Sequence, residues 1–177
     1  MRIRIIGACG SGKSTLAQEL SRKYDISFYE LDNLIWDRSA ENVRYPEEVR
    51  DISLLNILDS NAWIIEGAQH KPWTFPSILE ADLILILHPH VLVRDYRIIK
   101  RFVLSRIGLQ SWNYRQSFRN LCKMIVEWNH QYSVQNVIEL TNKHGKDAVI
   151  ITNIKQAVEK IDARIHLQQT EQRTTSK

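Results

Sequence analysis

Apolar positions along this chain fall into two alternating rhythms. Five short β-rich runs, "RIRII" (2–6), "ISFYELD" (26–32), "AWIIEG" (62–67), "ADLILILHP" (81–89) and "DAVIIT" (147–152), read as strands. The fourth is a continuous apolar run ended by Pro89, the pattern of a strand buried on both faces. Between the runs lie stretches with helical spacing. "STLAQELSRKY" carries Leu16 and Leu20, and the segment from about Pro46 to Leu58 carries Val49, Ile52, Leu55 and Ile57. Further helices are expected over Val91 to Ile107, broken at Gly108, over about Tyr114 to Lys143, and in "NIKQAVEKIDARI". Strands alternating with helices predict a three-layer α/β fold, with a parallel sheet covered on both faces. The tail "QQTEQRTTSK" has no apolar face and is expected to fray, so that 1–166 forms one domain and 167–177 a flexible tail. No internal repeat or linker interrupts this order.

The 177 residues suit one domain, and an apolar content of 44% is enough for a real core. With a strand expected from residue 2 there is no room for a signal peptide, and no apolar run approaches the roughly 18 residues of a membrane helix. A cytoplasmic protein with no membrane partner is expected. Its two cysteines, Cys9 and Cys122, form neither a metal spacing nor a disulfide framework.

Directly behind the first run stands "GACGSGKST", residues 7–15, which matches the spacing G-x-x-x-x-G-K-S in full. Gly7, Gly10 and Gly12 let successive N–H groups turn inward around an anion. Lys13 adds a point charge for β- and γ-phosphates, Ser14 a hydroxyl suited to magnesium, and Thr15 opens a helix whose N-terminus itself favours anions. Strand before and helix after are the context this phosphate-binding P-loop requires. ATP is therefore expected against Gly7, Ala8, Cys9, Gly10, Ser11, Gly12, Lys13, Ser14 and Thr15, together with Mg2+. The same inward N–H groups are expected to lower the pKa of Cys9.

In a parallel α/β sheet, ligands lie at the carboxyl ends of the strands. That rule selects Glu30 and Asp32, Glu66 and Gly67, His88 and His90, and Thr152 and Asn153. Glu66 ends an apolar strand beside the loop and is expected to hold magnesium with Ser14. Asp32 either orients or deprotonates an acceptor hydroxyl, or caps the helix "NLIW". Asn153 joins the nucleotide set from its strand-end position. His88 and His90 flank Pro89 without an acid at ligand spacing, so turn or capping roles are expected for them. Trp36, Trp63, Trp73, Trp112 and Trp128 share no period and are expected mostly in the core, with Trp36 near enough to Asp32 to wall a substrate pocket.

Charge sharpens the picture. Between Arg94 and Arg119 there are seven Lys or Arg against the single acid Asp95, a local net of +6 in a chain whose total is +4. The basicity is one patch. Arg94, Arg97 and Arg101 fall at i, i+3 and i+7 on one side of a helix leaving the fourth strand, well placed to clamp phosphates.

The succession P-loop, "WIIEG", "ADLILILHP", "RDYRIIKR" resembles the adenylate-kinase-like nucleoside and nucleotide kinases. Within them it is most similar to the small proteins catalogued as DNA topology modulation proteins, which also place an Asp and a Trp after the second strand, here "LDNLIW". The likeness covers about residues 1 to 160. It implies five parallel strands in the order 2-3-1-4-5, with a short helical lid, about 105–120, between the fourth and fifth. It also implies that Arg97 lies near the adenine or phosphates, that Arg101 contacts phosphates, and that a lid arginine, Arg115 or Arg119, reaches the transferred group. The expected catalytic set is thus Lys13, Asp32, Arg97, Arg101 and Arg115. One departure stands out: adenylate kinases follow the acid-Gly pair with Phe-Pro-Arg, whereas this chain has "EGAQHKPW", lacking that arginine for an acceptor nucleotide's phosphate.

Three function classes follow. A kinase acting on a nucleotide, nucleoside or other small metabolite uses every motif. A GTPase-like switch lacks base recognition, since "TNKHGKD" has Gly145 where an N-K-x-D motif needs Asp. An ATP-binding regulator acting on DNA would use the basic patch on phosphate backbones, but the chain shows no separate nucleic-acid reading module. Neither the acceptor nor the oligomeric state is legible.

Overall fold

The computed structural model describes residues 1–37, 39, 43–107 and 117–175. Strands β1 (Arg2–Ile6), β2 (Phe28–Glu30), β3 (Trp63–Glu66), β4 (Leu83–Leu87) and β5 (Ala148–Ile151) form one parallel sheet in the order β2-β3-β1-β4-β5. Helices α1 (Lys13–Tyr24), α2 (Leu31–Ile35), α3 (Glu47–Leu58), α4 (Phe75–Leu79), α5 (Val91–Arg106), α6 (Phe118–Ile125), α7 (Val134–Lys143) and α8 (Ile154–Thr175) connect and follow the strands.

The period of two in the strands decides what each face receives. Ile3, Ile5, Ile64, Leu85 and Leu87 pack against Leu16, Ala17 and Leu20 of α1 and Ala157 and Ile161 of α8. On the opposite face Ile6, Ile65, Ile84 and Ile86 meet Leu54 and Leu58 of α3, Ile78 of α4 and Val137 of α7. Burying each such aliphatic side chain contributes about 1.5–3 kcal/mol, so these two layers fix the sheet before any polar contact is counted. A smaller third cluster, Ile98 and Phe102 of α5 with Leu121 and Met124 of α6, roofs Cys9.

β1 is the central strand, with Ile5 opposite Glu66 of β3 and Ile6 opposite Ile86 of β4. The loop leaving it therefore emerges between the ends of both neighbours. That is where the order of the sheet reverses and a cleft opens.

Several segments differ from the sequence expectation. β2 ends at Glu30, and Leu31, fully buried, turns the chain at once into α2, so Asp32 lies in the first helical turn with Glu30 at the N-cap position. The short helix α4 was not expected; its prolines, Pro72 in a preceding 3₁₀ turn and Pro76, sit at helix starts, where their missing N–H costs nothing. The single helix expected to Lys143 is two helices, α6 and α7. Ser117 and Ser133 cap their starts, accepting from Asn120 N and Asn136 N at 3.2 Å, and a π-helical turn, Val126–His130, ends the first. Finally α8 runs on through Thr175 where fraying was expected, since nothing from Gln168 to Thr175 breaks a helix: Gln, Glu and Arg propagate one and the run has no Gly or Pro. Gly108, Trp112, Tyr114 and most of the expected lid lie outside the described residues.

Candidate active site

The loop Gly7–Gly12 wraps the N-terminus of α1 as its motif requires. Gly10 and Gly12 have φ of +74° and +96°, values that L side chains rarely adopt. A Cβ on Gly10 would lie 2.6 Å from the Arg94 carbonyl oxygen, and one on Gly12 would lie 2.9 Å from Arg97 Nη1. Both glycines thus serve the backbone turn and let α5 press close against the loop.

Polar groups of this loop are engaged with one another. Lys13 Nζ donates to the Ala8 carbonyl at 3.0 Å, and Arg97 Nη1 to the Ser11 carbonyl at 2.6 Å. Ser14 Oγ donates to Glu66 Oε1 at 2.7 Å. Glu66 is 5% exposed at the end of β3, held beside the loop by the register of β1 and β3. Ser11 Oγ is buried with no partner among the described residues, and Thr15 stands exposed in the first turn of α1.

These contacts bring several expected residues together. Lys13, Arg101 and Asp32 all act electrostatically on the Cys9 thiol, so loop, α5 and α2 converge above it. The expected lowering of the Cys9 pKa is corrected: burial raises it, outweighing the opposing pull of Lys13 and Arg101. Asp32 is exposed on the cleft side and accepts from Gln69 Nε2 at 3.2 Å. Asn153 caps α8 instead, its Oδ1 accepting from Gln156 N at 3.1 Å while its Nδ2 donates to Thr152 Oγ1. His90 caps α5 in the same manner, its Nδ1 accepting from Leu92 N at 3.3 Å. Trp36 packs its ring under Arg44, with the guanidinium carbon 4.5 Å from the ring centroid. Arg115 lies outside the described residues, and Arg119 is exposed in the first turn of α6.

Arg94 and Arg97, two of the arginines of α5, do not share one surface. Arg97 reaches the loop, whereas Arg94 falls in the buried stripe with Ile98 and Phe102 and is 4% exposed. Spacing of three and four residues spans an arc wide enough to straddle the boundary between cleft and core.

Sequence reasoning missed Arg4 and Gln69. Arg4 is fully buried in the middle of β1; its Nη1 donates to the carbonyls of Ile5 at 2.7 Å and Ile65 at 3.2 Å, and its Nη2 to those of Gly67 at 3.5 Å and Gln69 at 3.0 Å. Burial lowers its pKa to about 10, with Glu66 and Tyr132 opposing the drop. Through Gln69, Arg4 holds the loop that steers Asp32. A charged residue inside the apolar run "RIRII" was the available signal; Gln69 had none.

Comparison with solved structures finds the same fold in other proteins. The chain is similar to a gluconokinase from Sinorhizobium meliloti 1021, with a TM-score of 0.53, 15% identity, and 99% of this chain and 97% of that one covered. It is also similar to a shikimate kinase from Bacteroides thetaiotaomicron, at a TM-score of 0.56, 18% identity and coverages of 94% and 98%. A sugar kinase from Janibacter sp. HTCC2649 aligns at 0.55 with 14% identity, covering 93% and 94%. No protein-family model and no curated protein matches the chain. At such identities the likeness is one of fold: a five-stranded parallel sheet in the order 2-3-1-4-5 between helical layers, as in P-loop kinases.

Proposed function

We propose that this protein is an ATP-dependent kinase that moves the γ-phosphate onto a hydroxyl of a small metabolite. The observation that carries this reading is the 2.7 Å bond from Ser14 Oγ to Glu66 Oε1 at the foot of the glycine loop. A hydroxyl and a carboxylate, both oxygen donors held at the phosphate end of the cleft, fit Mg2+. The buried, unpartnered Ser11 Oγ and the glycine cradle fit the phosphates of ATP in the same way. Bound there, magnesium supplies neutralisation of charge on the β- and γ-phosphates.

The protein's own groups do the rest. Lys13, resting on the Ala8 carbonyl, exchanges that contact for a phosphate oxygen. Arg97, fixed to the Ser11 carbonyl, and Arg101, beside Cys9, balance the charge that spreads over the γ-phosphoryl oxygens during transfer. Asp32, oriented by Gln69, accepts the proton of the attacking hydroxyl. Residues 1–166 act as one catalytic unit, with a lid over about 105–120 from which Arg115 reaches the transferred group.

The finer likeness to DNA topology modulation proteins belongs to a second reading, an ATP-binding regulator of DNA. The engagement of Arg97 with the loop favours the nucleotide over a polymer. ADP release with MgATP and a panel of nucleosides, nucleoside monophosphates and hydroxylated metabolites tests the choice, with Lys13→Ala as the blank. Stimulation by one acceptor class is expected; slow release indifferent to every small acceptor would overturn the kinase reading in favour of the regulator.

A further inference from the structure

Behind the transfer site lies a group of buried polar atoms that the phosphate chemistry does not use. Arg94 is 4% exposed on α5; its side chain makes no hydrogen bond or ion pair among the described residues, and its Nε and Nη1 are both buried. Within its electrostatic range is Tyr132, on the segment between the π-helical turn and α7, whose hydroxyl is also buried without a partner among the described residues. His88, at the end of β4, presents a buried and unpartnered Nδ1 within reach of the Arg94 charge. From β1, Arg4 acts electrostatically on Tyr132 and leaves its Nε unpartnered.

The nearest carboxylates are already occupied. Asp95 accepts from Asn129 Nδ2 at 2.5 Å and pairs with His130 Nε2 at 2.8 Å, and Glu66 accepts from Ser14. Isolated buried charges are strongly unfavourable, and buried donors in folded proteins nearly always find acceptors. Here the unmatched atoms are chiefly donors: three guanidinium nitrogens and a phenol, joined by His88 Nδ1 in one tautomer. Asn129 Oδ1 is the single unmatched acceptor in the group. Such an excess of donors is complementary to a group that only accepts, which is an oxyanion. Arg4 links the two places, since its guanidinium interacts electrostatically with Glu66, the partner of Ser14, on one side and with Tyr132 on the other.

We infer that Arg94 and Tyr132, with His88 and Arg4 beside them, form the subsite for an oxyanion carried by the acceptor, a carboxylate or a phosphate. This rests on the kinase reading for the word acceptor, and on the buried unmatched donors for the oxyanion. Neutral sugars and unphosphorylated nucleosides are accordingly poor acceptors. An anionic hydroxy compound is anchored here, and its hydroxyl is left for Asp32 and the γ-phosphate.

Thermal unfolding of the full chain tests the site directly. With the loop filled by saturating MgADP, sodium acetate and inorganic phosphate are titrated separately at constant ionic strength against chloride. Either probe is expected to raise the unfolding temperature of the wild type saturably, and Arg94→Met to weaken that response about tenfold or more. Unliganded Arg94→Met is expected to unfold at the wild-type temperature or above, because the change removes an unpaired buried charge. Tyr132→Phe, which deletes one donor and keeps the shape, gives the same weakening in smaller measure and serves if Arg94→Met does not fold. Response to acetate alone identifies a carboxylate, to phosphate alone a phosphate, and to both a site for either. A wild type indifferent to both probes, or a response unchanged in the variants, overturns the inference. MgADP alone raising no unfolding temperature strikes the phosphate-loop reading instead, and the acetate titration without nucleotide still decides this one.

Discussion

The two halves of the cleft treat their polar groups in opposite ways. Around the glycine loop the cations and hydroxyls are mostly engaged: Lys13 on Ala8, Arg97 on Ser11, Ser14 on Glu66. Behind it, Arg94, Tyr132 and His88 keep buried polar atoms that nothing in the described chain satisfies. The first arrangement is a cradle made of backbone and held in shape by its own side chains, which suits it to the phosphates of the proposed nucleotide. The second is incomplete by itself, so its occupant must bring the missing acceptors. On the proposed kinase reading, transfer chemistry and acceptor choice fall to different groups at the carboxyl ends of the central strands.

Substitutions on the two sides are expected to separate these roles. Lys13→Ala has the largest effect: kcat for phosphate transfer falls by about a thousandfold or more, while thermal unfolding without ligand stays within a degree or two, as measured by coupled ADP release and by scanning fluorimetry. A variant that unfolds under native conditions would show that the loop is structural, and the contrast would collapse. Next comes Arg4→Met, which strips donors from the carbonyls of Ile65, Gly67 and Gln69 and is expected to cost about 3 kcal/mol in denaturant unfolding. ATP binding to the folded fraction should persist, because none of those carbonyls belongs to the loop.

Gly10→Ala tests the contact between the halves. Its φ of +74° and the 2.6 Å approach to the Arg94 carbonyl predict a loss of about 1–3 kcal/mol and a weaker affinity for MgADP by titration calorimetry. Unchanged stability would mean that α5 can withdraw from the loop freely. The smallest change is expected from Gln69→Ala, about a fivefold fall in kcat with KM for ATP unaltered, since one solvent-exposed hydrogen bond to the Asp32 carboxylate is worth roughly 1 kcal/mol. A rise in KM for ATP would instead place Gln69 on the nucleotide side.

Much of this was legible in one dimension wherever a function is encoded in contiguous residues. The strands and the loop follow from alternating apolar runs and from "GACGSGKST", because period and spacing act over a few residues, whereas the order of the strands in the sheet was only implied by the resemblance to adenylate-kinase-like kinases. Capping serines at 117 and 133 were equally visible, though the helix they divide was read as one. Asn153 has a local role that its strand-end position did not announce, since its side chain closes the first turn of α8.

What the sequence by itself determined, then, is the layered sheet, the loop between its central strands, and the presence of arginines on one helix. Tertiary structure alone decided that Arg97 faces the loop while Arg94 turns inward, that Arg4 holds the segment steering Asp32, and that Tyr132 lies within electrostatic range of both buried guanidinium charges. The reason is physical. Helical spacing places a side chain on a face but does not say what that face meets. The burial and missing partners of Arg94 arise only when β1, β4, α5 and the segment before α7 close around one point.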